Sequence, residues 1–283
     1  MESLFEPFQF QFFRNGLAVA TLAGALCGLV GVYVTLRGMS YIGHGLSHAI
    51  FGGAAASAIL SFNFYAGAGL WGLASALLIG RVSRRRIIGA DAAIGVITTA
   101  SFALGLALLN RFGQVRKSLD AALFGSILGV SSTDVWVVVG VTLLTAAVVF
   151  LGYRALLFTT FDPEVAEASG VRTARVDALL MLVLAVSILA TMKVLGVVLI
   201  AASLVIPAVV ARMLTDRFAR MLWLSVVIGA MCGFVGMNLS YHMDVSSGAT
   251  IVLVGAALFT TVFVLTGTGG LRRAAALPGH SAA

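Results

Sequence analysis

Long apolar runs, separated by short polar connections, take up almost the whole chain. Each run is close to the roughly 20 residues that cross a bilayer as a helix. Nine such runs can be delimited, at residues 15–36, 42–63, 65–83, 91–110, 133–158, 174–192, 194–211, 219–241 and 247–267. The pattern predicts an all-α fold, a polytopic membrane bundle of about eight or nine transmembrane helices.

The composition agrees with a membrane protein. Hydrophobic residues make up 60% of the 283 residues, charged residues make up 10%, and the mean hydropathy is +1.07. A soluble domain carries about 25% charged residues. Since no polar stretch divides the chain, we expect one transmembrane domain over residues 1–270 and a short, disordered cytoplasmic tail over 271–283.

Arginines cluster at the ends of the apolar runs, as the positive-inside rule expects, so the net charge of +7 does not indicate nucleic-acid binding. If Arg84–Arg86, the connection 159–173, Arg212–Arg220 and Arg272–Arg273 are all cytoplasmic, nine spans alternate and the N-terminus lies outside. The charges of 111–117 then also fall outside. If one weak run is re-entrant, the count becomes eight and the N-terminus lies inside.

One further segment, residues 118–130, is apolar but too short to span the bilayer. Irregular backbone at membrane depth must be covered by protein or by water. We therefore expect this segment to dip into the membrane and to line a cavity.

The sequence lacks the motifs of a chain that hydrolyses ATP or catalyses a reaction. It has no GxxxxGK(S/T) phosphate loop, no HExxH pattern, and only two lysines, Lys117 and Lys193. We therefore expect no enzymatic activity, and an ATP-driven process would need its ATPase from another polypeptide. Lys193 lies at a tight outward turn, where we expect its side chain to snorkel to the surface.

Two histidines, His44 and His48, stand four residues apart inside an apolar run. This spacing places both imidazoles on one face of a helix, close enough to share a ligand. Ionisable groups at membrane depth mark pathways or sites, and neutral imidazole is a common metal ligand. The alternative is a pair of buried histidines that are hydrogen-bonded to neighbouring helices.

A second polar pair, His242 and Asp244, lies at an outer helix end. In one interpretation His242 interacts with the helix dipole, and Asp244 is the N-cap of the following helix, which is the interpretation we favour for Asp244. In the other, the pair takes part at the outer mouth of a pathway.

The longest polar connection contains the signals of a short helix. Asp162 suits an N-cap and Pro163 the first helical position. Glu164 in the first turns interacts favourably with the positive end of the helix dipole, and Gly170 suits the C′ position at which a helix ends. This helix of about two turns is either an ordinary surface helix or a docking helix for a cytoplasmic partner.

Six segments, in order along nearly the whole chain, resemble signatures of the zinc/manganese family of ABC transporter permeases. Residues 38–49, GMSYIGHGLSHA, are similar to the family pattern RMSLLGDALSHA, and residues 161–171 resemble FDPExAxxxGV. The other similar segments are 91–95, 123–130, 196–212 and 239–250.

This resemblance implies a fold like that of type II ABC importer permeases in a bacterial inner membrane. It implies that a second copy, ABC ATPase subunits and an extracytoplasmic metal-binding protein are the partners, and that a divalent metal is cargo rather than cofactor. The matching positions imply an ATPase-docking loop formed by Asp162, Pro163, Glu164, Ala166 and Gly170. No nucleic-acid partner is implied.

One position departs from the family pattern, since His44 stands where the family usually has aspartate. Imidazole suits Zn²⁺ and Cu²⁺, whereas carboxylate suits Mn²⁺. The departure therefore favours zinc, with manganese second, and His44 and His48 are the predicted metal pathway.

Three other functions remain as alternatives. A permease for iron-siderophore or cobalamin would need a wide cavity and would have no use for an imidazole pair. An ion-driven secondary carrier would need intramembrane carboxylates, which the span interiors almost lack. An intramembrane metalloenzyme would need a general base, and no glutamate lies in mid-span.

Overall fold

The structure, a computed structural model, describes residues 6–83, 90–112, 123–126 and 129–275. In these ranges the chain is helical and forms no strand, and a 3₁₀ turn at Glu6–Gln9 precedes the first α-helix. The α-helices are α1 Gln11–Leu36, α2 Ser40–Ile59, α3 Phe64–Ser83, α4 Ala90–Phe112, α5 Ser132–Leu151, α6 Tyr153–Phe161, α7 Pro163–Ala168, α8 Thr173–Leu195, α9 Ile200–Leu214, α10 Phe218–Met243 and α11 Ser247–Ala275.

All nine predicted apolar runs contain a helix, which confirms the all-α prediction. The run 133–158 is broken into α5 and α6 at Gly152, which caps both helices. Seven of the described helices are long and apolar enough to cross a membrane, namely α1, α3, α4, α5, α8, α10 and α11. The helix α9 is apolar but shorter, and α2 contains the polar histidine pair.

The helix ends gather into two sets. At one end Arg37, after α1, bonds to Thr160 of α6 and Asp177 of α8. At the other end Phe13 of α1 packs edge-on against Tyr241 of α10. From the positive-inside rule we infer that the arginine-rich set is the inner end, which places the start of α1 at the outer end, as in the nine-span alternative.

The helices α1 and α10 approach each other so closely that backbone meets backbone at their glycines. A Cβ atom on Gly24 would lie 2.0 Å from the carbonyl oxygen of Gly229, and one on Gly233 would lie 2.1 Å from that of Ala20. Small residues allow such backbone contact between membrane helices. The hydroxyl of Ser225 adds a 2.7 Å hydrogen bond to the Gly28 carbonyl.

The connection between α8 and α9 is buried beneath the outer surface. Residues 194–197 are buried, and the positive φ of Gly196 ends α8, so α9 starts six residues later than the predicted run. The segment 123–126 covers this connection through a hydrogen bond from the Ser126 amide to the Lys193 carbonyl. The rest of the predicted dipping segment, apart from 129 and 130, lies outside the described residues.

The predicted boundary at residue 270 stays a prediction. Helix α11 continues to Ala275, and residues 276–283 lie outside the described part of the chain.

The prediction that Lys193 snorkels to the surface is wrong. Its Nζ lies 2.6 Å from the Asp134 carboxylate and about 5 Å above the rings of Phe64 and Tyr65. Asp134 is only 2% exposed, and it also accepts hydrogen bonds from Ser131 and from the Tyr65 hydroxyl. The lysine is held here because a buried carboxylate needs a positive partner.

Replacing Gly229 by alanine should destabilise the bundle, because the new Cβ would lie 2.1 Å from the Gly24 carbonyl oxygen. Overpacking costs about 1–3 kcal/mol and should lower the temperature at which the purified protein aggregates. Gly140→Ala is the matched control, since no other described element lies within 4 Å of its added methyl group. Equal thermal stability of the two variants would contradict this account of the contact.

Replacing Lys193 by methionine should also destabilise the protein, because it leaves the Asp134 carboxylate buried without its cation. Breaking a buried ion pair costs about 3–5 kcal/mol, and the exposed third of the lysine side chain places this pair at the lower end. Adding Asp134→Asn to the variant should restore most of the thermal stability. A double variant as unstable as the single one would show that the charge is not the cause.

Candidate functional site

The two histidines predicted to share a ligand do lie side by side on α2. The Nε2 atoms of His44 and His48 are 3.3 Å apart, and the rings meet edge to face with centroids 4.6 Å apart. The helix begins at Ser40, after a tight link from α1. His44 therefore lies about 6 Å, and His48 about 12 Å, along the helix axis from that start.

Among the described residues, the pair lies on a partly exposed face of α2, which we call its open face. Between Gly43 and Ala55, His44 and His48 are the two residues that are not buried. The half-exposed Tyr41 continues the same face one turn earlier. In the described part of the chain, both histidines are therefore partly exposed rather than enclosed.

The surroundings of His48 do not match the alternative of a histidine bonded to a neighbouring helix. Its ring packs edge-on against Phe102 of α4, with centroids 4.6 Å apart. Its Nδ1 is buried and has no hydrogen-bond partner in the described structure. The polar contact of His48 is with His44, at the nitrogen that can also bind a ligand.

The separation of the two nitrogens suits a shared metal ion. Two imidazole nitrogens bound to one tetrahedral Zn²⁺ at about 2.0–2.1 Å lie roughly 3.3–3.4 Å apart, and the observed distance between His44 and His48 is 3.3 Å. Among the described residues, no group of three or more His, Cys, Asp or Glu side chains could hold a metal. In that part of the chain the histidine pair offers two ligands.

The second predicted pair lies at the opposite end of the bundle. His242 is exposed in the last turn of α10, where it can interact with the helix dipole, as predicted. Asp244 ends α10 in a left-handed conformation with φ of 53°. Our prediction that Asp244 is the N-cap of the next helix is wrong, because Ser246 accepts the hydrogen bond from the Ala249 amide there.

Asp244 lines a cavity of about 310 Å³ at the outer end, together with Ser126 and Ser246. His242 is not among the residues that line this cavity. The structure therefore leaves the two members of the predicted outer pair with different surroundings, and both lie apart from the histidines of α2.

The predicted short helix is present as α7. The Asp162 carboxylate accepts a 2.9 Å hydrogen bond from the Val165 amide, Pro163 occupies the first turn, and Gly170 follows the helix with φ of 82°. Ala166 is buried and Glu164 is exposed. The helix therefore presents an acidic surface at the arginine-rich inner end.

Arg37 is a residue of the inner end whose role the sequence does not reveal. Its Nε donates to the Thr160 hydroxyl at 3.0 Å, and its Nη1 donates to Asp177 at 2.7 Å. The side chain is only 9% exposed. The sequence signal that could have led to this pair is Asp177, a carboxylate in the first turn of the predicted span 174–192.

Comparison with known proteins places the chain in a family. The model of the ABC 3 transport family matches residues 9–266. "Manganese transport system membrane protein MntC" of Halalkalibacterium halodurans is 37% identical over 262 residues, 93% of this chain and 90% of that protein. "Manganese import system permease protein ScaB" of Streptococcus parasanguinis is 37% identical over 259 residues, 91% of each chain.

A solved structure, "PsaBC from Streptococcus pneumoniae in complex with Fab", is also similar. It matches with a TM-score of 0.85 at 33% identity and covers 93% of this chain and 95% of that chain. The similarity confirms the predicted architecture, that of type II importer permeases. The chain belongs to the ABC 3 transport family and is a multi-pass permease of a bacterial membrane, not an enzyme.

Proposed function

We propose that this chain is the membrane-spanning subunit of an ATP-driven importer for a divalent transition metal ion. The observation that carries the proposal is the histidine pair, with two nitrogens 3.3 Å apart on the open face of an otherwise buried helix segment. Burying polar groups in a membrane is costly. The two Nε2 atoms contact each other rather than a neighbouring helix, which leaves them available to an ion that binds and is released.

The chemistry of the pair favours zinc as the cargo, with manganese second. Imidazole suits Zn²⁺, whereas Mn²⁺ prefers carboxylate and water oxygens. The relatives named above are described as manganese transporters, which supports manganese. His44, which replaces the family aspartate, is the residue on which the choice depends.

A second copy of the chain would complete the pathway. The described part of one chain supplies two ligands, while tetrahedral zinc takes four. If two copies meet along the open face of α2, each brings His44 and His48 to a common passage. Neutral imidazoles would bind the ion there, weakly enough for release.

The remaining partners would bind at the two ends of the bundle. ABC ATPase subunits would dock on α7, through the loop formed by Asp162, Pro163, Glu164, Ala166 and Gly170. An extracytoplasmic metal-binding protein would deliver the ion at the outer end, where His242 is exposed and Asp244 lines the cavity. ATP hydrolysis would then change which end of the passage is open.

The structure gives no support to the alternative of an ion-driven carrier. Such a carrier needs a buried carboxylate that can bind and release the coupling ion. Among the described residues the buried carboxylate is Asp134, and Lys193 already neutralises it. A permease for a large metal chelate would leave the histidine pair without a use.

His48→Ala should lower metal uptake by at least about tenfold, because it removes one of the two ligands. His44→Asp should restore the family pattern and shift preference from zinc toward manganese. The measurement is competitive uptake of the two ions into proteoliposomes that contain the full transporter. Ser47→Ala is the control, since the Ser47 hydroxyl only bonds to its own helix.

If uptake rate and selectivity are unchanged in both histidine variants, the pair is structural and the proposed site is wrong. A shift toward manganese without loss of rate in His44→Asp would support the assignment of this residue to metal choice.

The chain alone should not import metal. A complex that carries Ala166→Pro should also fail to import it. The proline removes the 3.0 Å hydrogen bond from the Ala166 amide to the Asp162 carbonyl, and an interior proline costs about 3 kcal/mol. We expect loss of ATPase association with unchanged metal binding, whereas Ala166→Ser should keep the complex. ATP-driven uptake by the lone chain would contradict the proposal.

A further inference from the structure

Arg37 connects the surroundings of the docking helix to the helix that carries the histidine pair. It lies in the short link between α1 and α2, three residues before α2 begins at Ser40. Its guanidinium donates hydrogen bonds to Thr160 at 3.0 Å and to Asp177 at 2.7 Å. Charge-assisted hydrogen bonds of this kind are stronger than neutral ones.

The two partners of Arg37 flank the docking helix on either side. Thr160 lies near the end of α6, two residues before the N-cap of α7, and Asp177 lies in the second turn of α8. A hydrogen bond between Thr173 and Glu167 ties the start of α8 to α7 itself. A displacement of the first turn of α7 would therefore reach Arg37 through Thr160, while Asp177 holds the guanidinium to α8.

The link that holds Arg37 is tight, so a force on Arg37 would reach α2. Gly38 adopts a φ of 64°, and the Met39 amide donates a 2.8 Å hydrogen bond to the Val34 carbonyl. Seven residues after Arg37 comes His44, in the second turn of α2. Arg37 and the histidine pair thus belong to one continuous stretch of ordered chain.

Beside this link lies a cavity of about 660 Å³, lined by Thr160 and Pro163 as well as by Met39 and Ile42. At this depth α7 packs on α6 and α8, and open space separates its start from the first turn of α2. The hydrogen bonds of Arg37 run along the wall of this cavity. They form a polar connection between the surroundings of the docking helix, α7, and the α1–α2 link.

We propose that Arg37 is a positioning residue that couples movement of the docking helix to the orientation of the histidine pair. This inference rests on the proposed function, because it assumes that an ATPase docks on α7. Coupling needs a continuous physical connection between the two sites. The hydrogen bond to Thr160 joins the α6 side of the docking helix to the α1–α2 link.

The geometry of Thr160 allows this connection to be removed by a single small change. Its hydroxyl donates to the Leu156 carbonyl at 2.6 Å, so the oxygen is free to accept from Arg37. Thr160→Val keeps the side-chain shape and leaves the bond between Arg37 and Asp177. Thr159→Val is the matched control, because the Thr159 hydroxyl bonds to the Ala155 carbonyl of its own helix.

The test uses the complete complex in proteoliposomes and measures both ATP hydrolysis and uptake of Zn²⁺ and Mn²⁺. Loss of a hydrogen bond to a charged group should lower uptake per ATP hydrolysed by about tenfold in Thr160→Val. ATP hydrolysis and assembly should stay close to those of the wild type. Arg37→Lys should show a similar defect, because a single ammonium group does not reproduce the two hydrogen bonds that the guanidinium donates, to Thr160 and to Asp177.

A second readout does not depend on the transported ion. Tyr41 is half exposed on the histidine face, and the variant Tyr41→Cys places a thiol there. The alkylation rate of this thiol is measured with and without trapped ATP. Both native cysteines are buried. The rate should change with ATP in the Thr159→Val background and should not change in the Thr160→Val background.

Wild-type-like coupling and alkylation in Thr160→Val would overturn the role of Arg37 and leave the proposed function intact. If the complex with wild-type sequence imports neither ion, but the alkylation rate of Tyr41→Cys responds to ATP only when Thr160 is present, the cargo is wrong and the coupling role stands. If the alkylation rate of Tyr41→Cys with Thr160 unchanged does not respond to ATP, the coupling role is wrong.

Discussion

Direct backbone contact between α1 and α10 is the constraint on which the rest of the bundle depends. Gly24 and Gly28 on α1 lie directly against the backbone of Gly229 and Ser225 on α10, because a Cβ atom on either α1 glycine would come within 2.2 Å of an α10 carbonyl oxygen. In a membrane, lipid competes well for apolar side chains, so close approach and polar contacts supply the specificity of packing. Because α1 is buried along most of its length, α5, α8 and α9 can pack around it.

The second constraint is the cost of polar groups away from water. Asp134 is paired with Lys193, and Arg37 is paired with Asp177, so each buried charge in these pairs has a partner of opposite sign. The histidines of α2 are different, since they contact each other and face outward. A polar pair that packing does not require is the feature on which the proposed metal site rests.

The two ends of the bundle differ in their polar contacts. The inner end combines an exposed acidic helix, α7, with arginines, one of which, Arg37, is hydrogen-bonded to Thr160 and Asp177. The outer end is closed over the buried connection between α8 and α9 by the segment 123–126 and by Ser247, which donates a hydrogen bond to the Val194 carbonyl.

The amino-acid sequence by itself determined the helical spans, the short helix α7 and the shared face of His44 and His48. These features depend on hydropathy over about 20 residues, on capping residues and on helical periodicity, all of which are local. Only the tertiary structure decided that Lys193 pairs with Asp134, 59 residues away, and that Arg37 pairs with Asp177, 140 residues away. It also decided that the histidine face stays open, because burial depends on which helices pack against α2, and no local pattern specifies that.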